Sequence, residues 1–400
     1  MPLSSPLCAA ALICAVLAAV GIAQAVVGLH CVRRFARILN DPAPLAARPP
    51  MTILKPLCGD EPLLEEALAS VCEIDYPVFQ IVFGVQDPSD PAVGVVGRIR
   101  ARYPGRDIAL VVDPSGTGKN RKICNLLNML RAAKHDHLVM GDSDVHVAPN
   151  YLDAIAAGFA RPGTGLVTTL YAGLPSDRSM AGALGATGLS HTFLPGALVA
   201  RALGRQDALG VTMALRRETL AAIGGLARVA DELADDHVLG LLVQQQGLSV
   251  RLAATMTATT VPERHIGPLF RHELRWSRTV LSLVPVSFSL SAMQYPLAWA
   301  SLTLILSGGH EWAVALFLAA WVARAACALG IEHALSLRSR GLGGAPPVLL
   351  LPLRDLLSMA VLLASYRSDQ VEWRGNMMRT RAQNAPAYAP SRDTAAGSAS

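Results

Sequence analysis

Three stretches carry carboxylates or cations at spacings that could do chemistry. Asp142-Ser143-Asp144 follows the apolar run His137–Met140, so two carboxylates leave a buried strand two residues apart. Mg2+ and Mn2+ favour carboxylate oxygens and commonly share phosphate ligands. The pair could hold a divalent cation and, through it, a diphosphate; a turn opened by Asp and Ser would use the same residues. Leu233-Ala234-Asp235-Asp236-His237 precedes the apolar-periodic Val238–Val243. Asp235 could cap a helix there while Asp236 points into a cleft as general base. The run from Arg271 to Arg278, RHELRWSR, lies just before a long apolar zone. Basic and aromatic residues so placed act by default as an interfacial anchor.

Two other clusters are less specific. Ser115 to Lys122, SGTGKNRK, fails the phosphate-loop pattern GxxxxGK[ST], because Asp113 stands five before Gly118 and Asn120 follows the lysine. A Gly-rich turn at a helix start, with Lys119 and Lys122, can still attract phosphate. His135-Asp136-His137 reads as a solvated helix–strand turn rather than a metal site.

The elements that must position these residues fall in the middle of the chain. Between about Pro50 and Arg271, short β-branched runs alternate with helical patterns. Met51–Leu57, Gln80–Val85, Ile108–Val112 and His137–Met140 are predicted strands; Glu61–Cys72, Val93–Tyr103 and Lys122–Ala133 are the predicted helices between them. That alternation implies a mostly parallel sheet with helices on both faces. In such sheets ligands bind beyond the carboxyl ends of the strands. Three strands end in acid there: Asp87, Asp113 and Asp142.

Apolar residues gather at both ends. The 400-residue chain is 52% hydrophobic and 16% charged, against about 25% charged for ordinary soluble proteins. Leu7 to Leu29 carries no charge over 23 positions, enough to cross a bilayer. Ala23-Gln24-Ala25 fits a signal-peptidase site, but Met1 to Pro6 lacks the basic residue a signal peptide wants. Arg33, Arg34 and Arg37 follow the run, which places the downstream chain in the cytoplasm. A second apolar zone extends from Val280 to about Tyr366, its first segment, Val280–Leu306, interrupted by Pro285 and Pro296. Arg338 and Arg340 argue for one cytoplasmic loop, and Arg367, Arg374 and Arg379 for a cytoplasmic tail. Arg354 and Asp355 lie within this zone, so they sit near a membrane face or pair inside a helix bundle. Seven cysteines without a CxxC pair exclude a disulfide scaffold, and a net charge of +5 without a basic stripe gives no case for nucleic acid.

In sequence order these motifs resemble the membrane-bound inverting glycosyltransferases of the GT-A fold, in the ceramide glucosyltransferase-like family. The likeness runs from about Met51 to Trp276, through LKPLCGDEP (Leu54–Pro62), DYP (Asp75–Pro77), VQDPSDPA (Val85–Ala92), KNRKICNL (Lys119–Leu126), DSDV (Asp142–Val145), ADDHVLG (Ala234–Gly240) and HELRW (His272–Trp276). KPLCGDEP, FGVQDPSDPA, ALRRETL (Ala214–Leu220) and LPLRDLLS (Leu351–Ser358) look closer still to the hopanoid-biosynthesis glycosyltransferases, which attach N-acetylglucosamine to a polyol-bearing hopanoid.

The resemblance implies an α/β, Rossmann-like GT-A domain over 50–271, with an N-terminal anchor over 1–32. It implies an HxxRW interfacial segment at 272–279; the apolar zone gives membrane helices over 280–366, and the Pro-, Ala- and Ser-rich end gives a disordered tail at 384–400. Lys55, Pro56, Asp87, Lys122 and Asp142 would bind the nucleotide-sugar, and Asp142 with Asp144 would hold Mg2+ or Mn2+ on the UDP diphosphate. Asp236 would be the general base. Arg275 and Trp276 match the RW of (Q/R)xxRW. His272 stands where Gln or Arg leads that motif, and would meet the diphosphate or acceptor, or face the interface. The implied partners are a UDP-sugar, a hopanoid or ceramide acceptor and the bilayer. The implied place is the bacterial cytoplasmic membrane, multi-pass, with the catalytic domain in the cytoplasm. A polysaccharide synthase, normally QxxRW-bearing, and a non-catalytic lipid-binding or transport subunit are the rival readings.

Overall fold

The computed structural model describes residues 6–40, 47–116, 118–338, 348–368, 370–373 and 376–379. The tail expected at 384–400, together with Thr117, Arg340 and Arg374, lies outside the described residues. After helix α1 (Pro6–Asn40) comes an alternating series: β1 (Met51–Pro56), α2 (Leu64–Cys72), β2 (Phe79–Val85), α3 (Ala92–Arg102), β3 (Ile108–Val112), α4 (Arg121–Met129) and β4 (His137–Gly141). The four strands and three helices predicted for this stretch are all present.

The second half of the sheet region is less regular. It runs β5 (Val145–His146), α5 (Tyr151–Phe159), β6 (Thr164–Pro175), α6 (Met180–Gly188), a π-helical turn at Leu189–Phe193, α7 (Leu194–Ala202), β7 (Thr212–Arg216), α8 (Arg217–Ala222), α9 (Asp235–Gln245) and β8 (Ser249–Val261). The remainder is α10 (Ile266–Leu283), α11 (Pro285–Leu290), α12 (Pro296–Leu306), α13 (Glu311–Leu335), α14 (Leu351–Ser365) and the antiparallel pair β9 (Gln370–Trp373) and β10 (Asn376–Arg379).

Eight strands form one sheet in the order β3-β2-β1-β4-β7-β6-β8-β5. The first four are parallel to one another, as the alternation predicts. Beyond them the sheet is mixed, because β7 is antiparallel to both β4 and β6. The β1 strand is buried from Met51 to Lys55 because both its faces are covered. Met51 and Ile53 join the core under α2, α3 and α5, while Leu54 joins the core under α4, α8 and α9. Strand order reverses around β1, with β2 on one side and β4 on the other. That reversal opens a crevice at the carboxyl edge of the sheet.

Among the described residues, three helices are long and apolar enough to cross a membrane: Pro6–Asn40, Glu311–Leu335 and Val348–Ser365, which is α14 with its leading turn. Pro285 and Pro296 begin α11 and α12, where a missing N–H costs nothing. Small residues let the bundle close: a Cβ on Gly21 of α1 would come within 2.4 Å of the Met293 carbonyl oxygen. Val32, Phe35 and Leu39, at the basic end of α1, pack on Leu170 of β6 and Met256 of β8. The sheet is thereby seated against that end of the helix. Arg354 and Asp355 are each only 1% exposed, so of the two expected placements they take the one inside the bundle.

Candidate active site

A cavity of about 1300 Å3 opens at the carboxyl ends of β1, β2 and β4 and continues along α10 and α11. Pro56 ends β1, Asp87 follows β2, and Asp142 to Asp144 follow β4; all of them line it. Asp113, after β3, does not, because β3 is the sheet's edge strand and its end stands apart. Its carboxylate instead accepts the Ser115 amide at 2.9 Å. Lys119 does not line the cavity either, and its amide donates to Asp231 at 3.0 Å.

Lys122 and Asp142 form a close ion pair in the site. The Lys122 ammonium is 2.6 Å from Asp142 Oδ1 and 3.7 Å from Asp235 Oδ2. It reaches both because Asn120 caps α4, accepting the Ile123 amide at 3.1 Å, and so sets the first turn. Burial works to lower the Lys122 pKa, but Asp142 and Asp235 outweigh it and the net shift is upward.

Asp144 turns the other way, and its Oδ2 accepts from the Thr259 hydroxyl of β8 at 2.5 Å. Burial, and then the charge of Asp142, push its carboxyl up to about 6, against the hydrogen bond from Thr259. A half-buried carboxylate poised to lose its proton beside a second one suits a divalent cation. Among the described residues no three His, Cys, Asp or Glu side chains gather to hold a metal by themselves. Asp142 and Asp144 would therefore share an ion with phosphate oxygens, in keeping with the hard-oxygen chemistry of Mg2+ and Mn2+.

Asp235 and Asp236 open α9, but neither caps it: Ala234 is the N-cap, with no side-chain bond. This corrects the expectation for Asp235, which is buried and accepts from Asn120 Nδ2 at 3.3 Å. Asp236 faces the cavity, its Oδ1 accepting the His237 amide at 2.7 Å. Burial and the neighbouring Asp235 push the Asp236 carboxyl up to about 6, while Lys122 draws it down. Gly210 leaves the opening: a Cβ there would stand 3.1 Å from Asp236 Oδ2.

Asp87 sits at the exposed rim, accepting from the Ser89 amide at 2.8 Å and hydroxyl at 2.6 Å; these two bonds hold its pKa below the usual carboxylate range. Lys55 is not brought into the cavity. Its side chain lies under the Asp142–Val145 loop, donating to the carbonyls of Asp142 and Val145 at 2.8 Å each and of Ser143 at 3.5 Å. Burial lowers its pKa to about 8 despite Asp144 and Asp142 nearby. The structure thus gives Lys55 a supporting place beneath the acidic loop, not one against a nucleotide.

His272, Arg275 and Trp276 line the cavity from α10. The expected boundary between 271 and 272 falls inside this single helix. His272 Nδ1 is 2.5 Å from Glu263 Oε1, and its ring lies 4.2 Å from that of Trp276. The Arg275 guanidinium is 6.0 Å from the Trp276 ring centroid. Sequence reasoning missed Glu61, Glu263 and Glu273, all cavity-lining. Glu61 accepts from the Ser143 hydroxyl at 2.5 Å. Its only sequence signal was its place in GDEP.

The model of glycosyl transferase family 21 matches residues 13–385. The chain belongs to this family. It is 34% identical over 106 residues to the ceramide glucosyltransferase of Komagataella phaffii, covering 26% of this chain and 21% of that one. To ceramide glucosyltransferase 1 of Caenorhabditis elegans it is 21% identical over 255 residues, 62% of this chain and 53% of the relative. The family 21 chain thus spans about half, or less, of the length of these relatives. Among solved structures, the mannosyltransferase PcManGT from Pyrobaculum calidifontis, in complex with GDP-Man and Mn2+, superposes with a TM-score of 0.50 at 20% identity. That superposition covers 88% of this chain and 97% of the other, and bears out the glycosyltransferase fold.

Proposed function

We propose that this family 21 protein is an inverting enzyme that moves a sugar from a UDP-sugar to the hydroxyl of a membrane lipid. One observation carries the reading: Asp87, Asp142, Asp144 and Asp236 meet in a cavity that continues past Trp276 along the apolar side chains Val280, Leu283, Val284 and Phe288. The polar end suits a nucleotide diphosphate and the apolar end suits a lipid. A single cavity joining the two is what transfer between them requires.

Asp87 and Asp142 hold the nucleotide end of the donor. Lys122 and Arg275 oppose the charge that develops on the leaving diphosphate. Asp236 accepts the proton of the acceptor hydroxyl as that oxygen bonds to the anomeric carbon, and the bond from that carbon to the β-phosphate oxygen breaks. The electron pair leaves with UDP and the proton stays on Asp236. Mg2+ or Mn2+ on Asp142 and Asp144 would add Lewis-acid neutralisation of the diphosphate. His272, fixed by Glu263, faces the same space as a hydrogen-bonding partner for diphosphate or acceptor.

For the acceptor, the forms of KPLCGDEP and LPLRDLLS favour a polyol-bearing hopanoid receiving N-acetylglucosamine. The curated relatives are named as ceramide glucosyltransferases, which favours glucose on ceramide as the second reading. The membrane reading draws on the three apolar helices and on exposed Arg33, Arg34 and Arg37 at the end of α1 that meets the sheet. A basic end on the same side as the catalytic domain fits a bacterial cytoplasmic membrane with that domain inside. Detergent-purified protein offered UDP-GlcNAc or UDP-glucose, each with bacteriohopanetetrol or ceramide, tests the choice by product mass. N-acetylglucosaminyl hopanoid supports the first reading and glucosylceramide the second; UDP binding without any lipid product removes both acceptors.

A further inference from the structure

We propose that Arg354, on α14, is a positioning residue that sets the rotation of α10 through Glu273. The geometry stands by itself; its kinetic consequence rests on the functional reading above. Arg354 donates from Nη1 to Glu273 Oε1 and from Nη2 to Glu273 Oε2, both at 2.7 Å. Nη1 also donates to the Leu184 carbonyl of α6 at 3.1 Å. The Ser358 hydroxyl accepts from Nε at 3.2 Å and from Nη2 at 2.9 Å. Each guanidinium nitrogen is therefore engaged, and the fork joins three helices while lining the wall of the cavity. Gly188 fits the same junction closely, since a Cβ there would stand 3.2 Å from Nη1.

The neighbouring charge does not compete for this arginine. Asp355 accepts the Leu297 amide of α12 at 3.1 Å and lies 3.8 Å from Arg324 Nε of α13. Arg324 in turn donates to the Thr192 hydroxyl of the π-helical turn at 2.8 Å. Two adjacent residues of α14 thus bind two different parts of the molecule, and Glu273 belongs to Arg354.

Among the 18 residues of α10, only Leu269 is fully buried. A helix with so little apolar seating needs another restraint on its rotation. Glu273 directly follows His272, and successive helical residues are about 100° apart, so fixing Glu273 also fixes His272, Arg275 and Trp276 at i, i+3 and i+4. A buried ion pair is seldom the most stabilising choice for a site, but a bidentate one defines an angle. The C-terminal span thereby helps to build the wall of the cleft.

The test uses detergent-purified full-length Glu273→Gln, Arg354→Lys and the milder Ser358→Ala. Hydrogen exchange of α10 reads the geometry without any acceptor. The ratio of lipid transfer to hydrolysis of the UDP-sugar by water reads its consequence. We expect faster exchange in α10 but not in β4 or α9, and a transfer-to-hydrolysis ratio lowered by about tenfold or more in the first two variants. Ser358→Ala should lower it by about twofold to fivefold. The Glu273→Gln/Arg354→Lys double variant should be no worse than the worse single one. Transfer and hydrolysis falling in parallel, or α10 exchange unchanged in Glu273→Gln, would overturn the proposal. If Arg354→Lys does not fold, Ser358→Ala and Glu273→Gln decide it. A wild type that transfers to no lipid refutes the functional reading, and α10 exchange then still judges the ion pair.

Discussion

The Lys122 ammonium lies 2.6 Å from the Asp142 carboxylate, and the same nitrogen reaches Asp235 at 3.7 Å. One half-buried cation therefore links the acidic loop after β4 to the first turn of α9, which carries the proposed base. Its removal leaves Asp142, Asp235 and Asp236 close together with their mutual repulsion unopposed. Lys122→Met should reduce transfer by about 100-fold or more. Because Lys122 draws the Asp236 pKa down, the acidic limb of kcat/KM should also move to higher pH. A pH–rate profile of residual activity checks both effects.

In the wild-type protein, the Asp236 carboxyl is pushed up to about 6 by burial and by Asp235. A base must be ionised to accept a proton, so activity should be full above that value. Below it, kcat/KM should fall by about tenfold per pH unit. Initial rates between pH 5 and 8 would show the limb, and a flat profile would separate Asp236 from the proton transfer.

Asp144 carries a similar upward shift, to about 6 from an ordinary 3.8. The folded state then binds this proton more tightly than the unfolded chain. Its stabilising contribution is present below about 3.8 and lost as pH rises through about 6. Asp144→Asn should therefore leave the metal-free protein at least as heat-stable as wild type at pH 7.5. Mn2+ should raise the wild-type Tm and not that of the variant. Thermal scans with and without the ion read both arms.

Lys55 serves the site from below, through the carbonyls of Asp142, Ser143 and Val145. Lys55→Met removes their shared donor, and an unsatisfied buried acceptor costs about 1–3 kcal/mol. The expected result is a lower Tm and weaker metal-dependent UDP binding. Retained Tm with normal UDP binding would remove the supporting role.

Much of this was legible in the sequence. Apolar, β-branched runs advertise strands by composition, so β1 to β4 and the acids after β2 and β4 could be read directly. The edge position of β3 could not, because strand order is a long-range property; local sequence alone groups Asp113 with the acids of the site. Lys55 shows the same limit, since a lysine ending a strand looks identical whether its ammonium meets a phosphate or three backbone carbonyls. Asp235 looked like a helix cap because Asp favours that place, but Lys122 and Asn120, more than a hundred residues away, hold it instead. The Glu273–Arg354 pair joins positions 81 residues apart, beyond any periodicity argument.

The central claim is tested most directly by comparing wild type with Asp236→Asn for lipid transfer and for UDP binding in the presence of Mn2+. General-base catalysis is worth about 100-fold to 10,000-fold. Transfer in the variant should fall by that order while UDP affinity stays within about twofold. Full transfer by Asp236→Asn would contradict the claim.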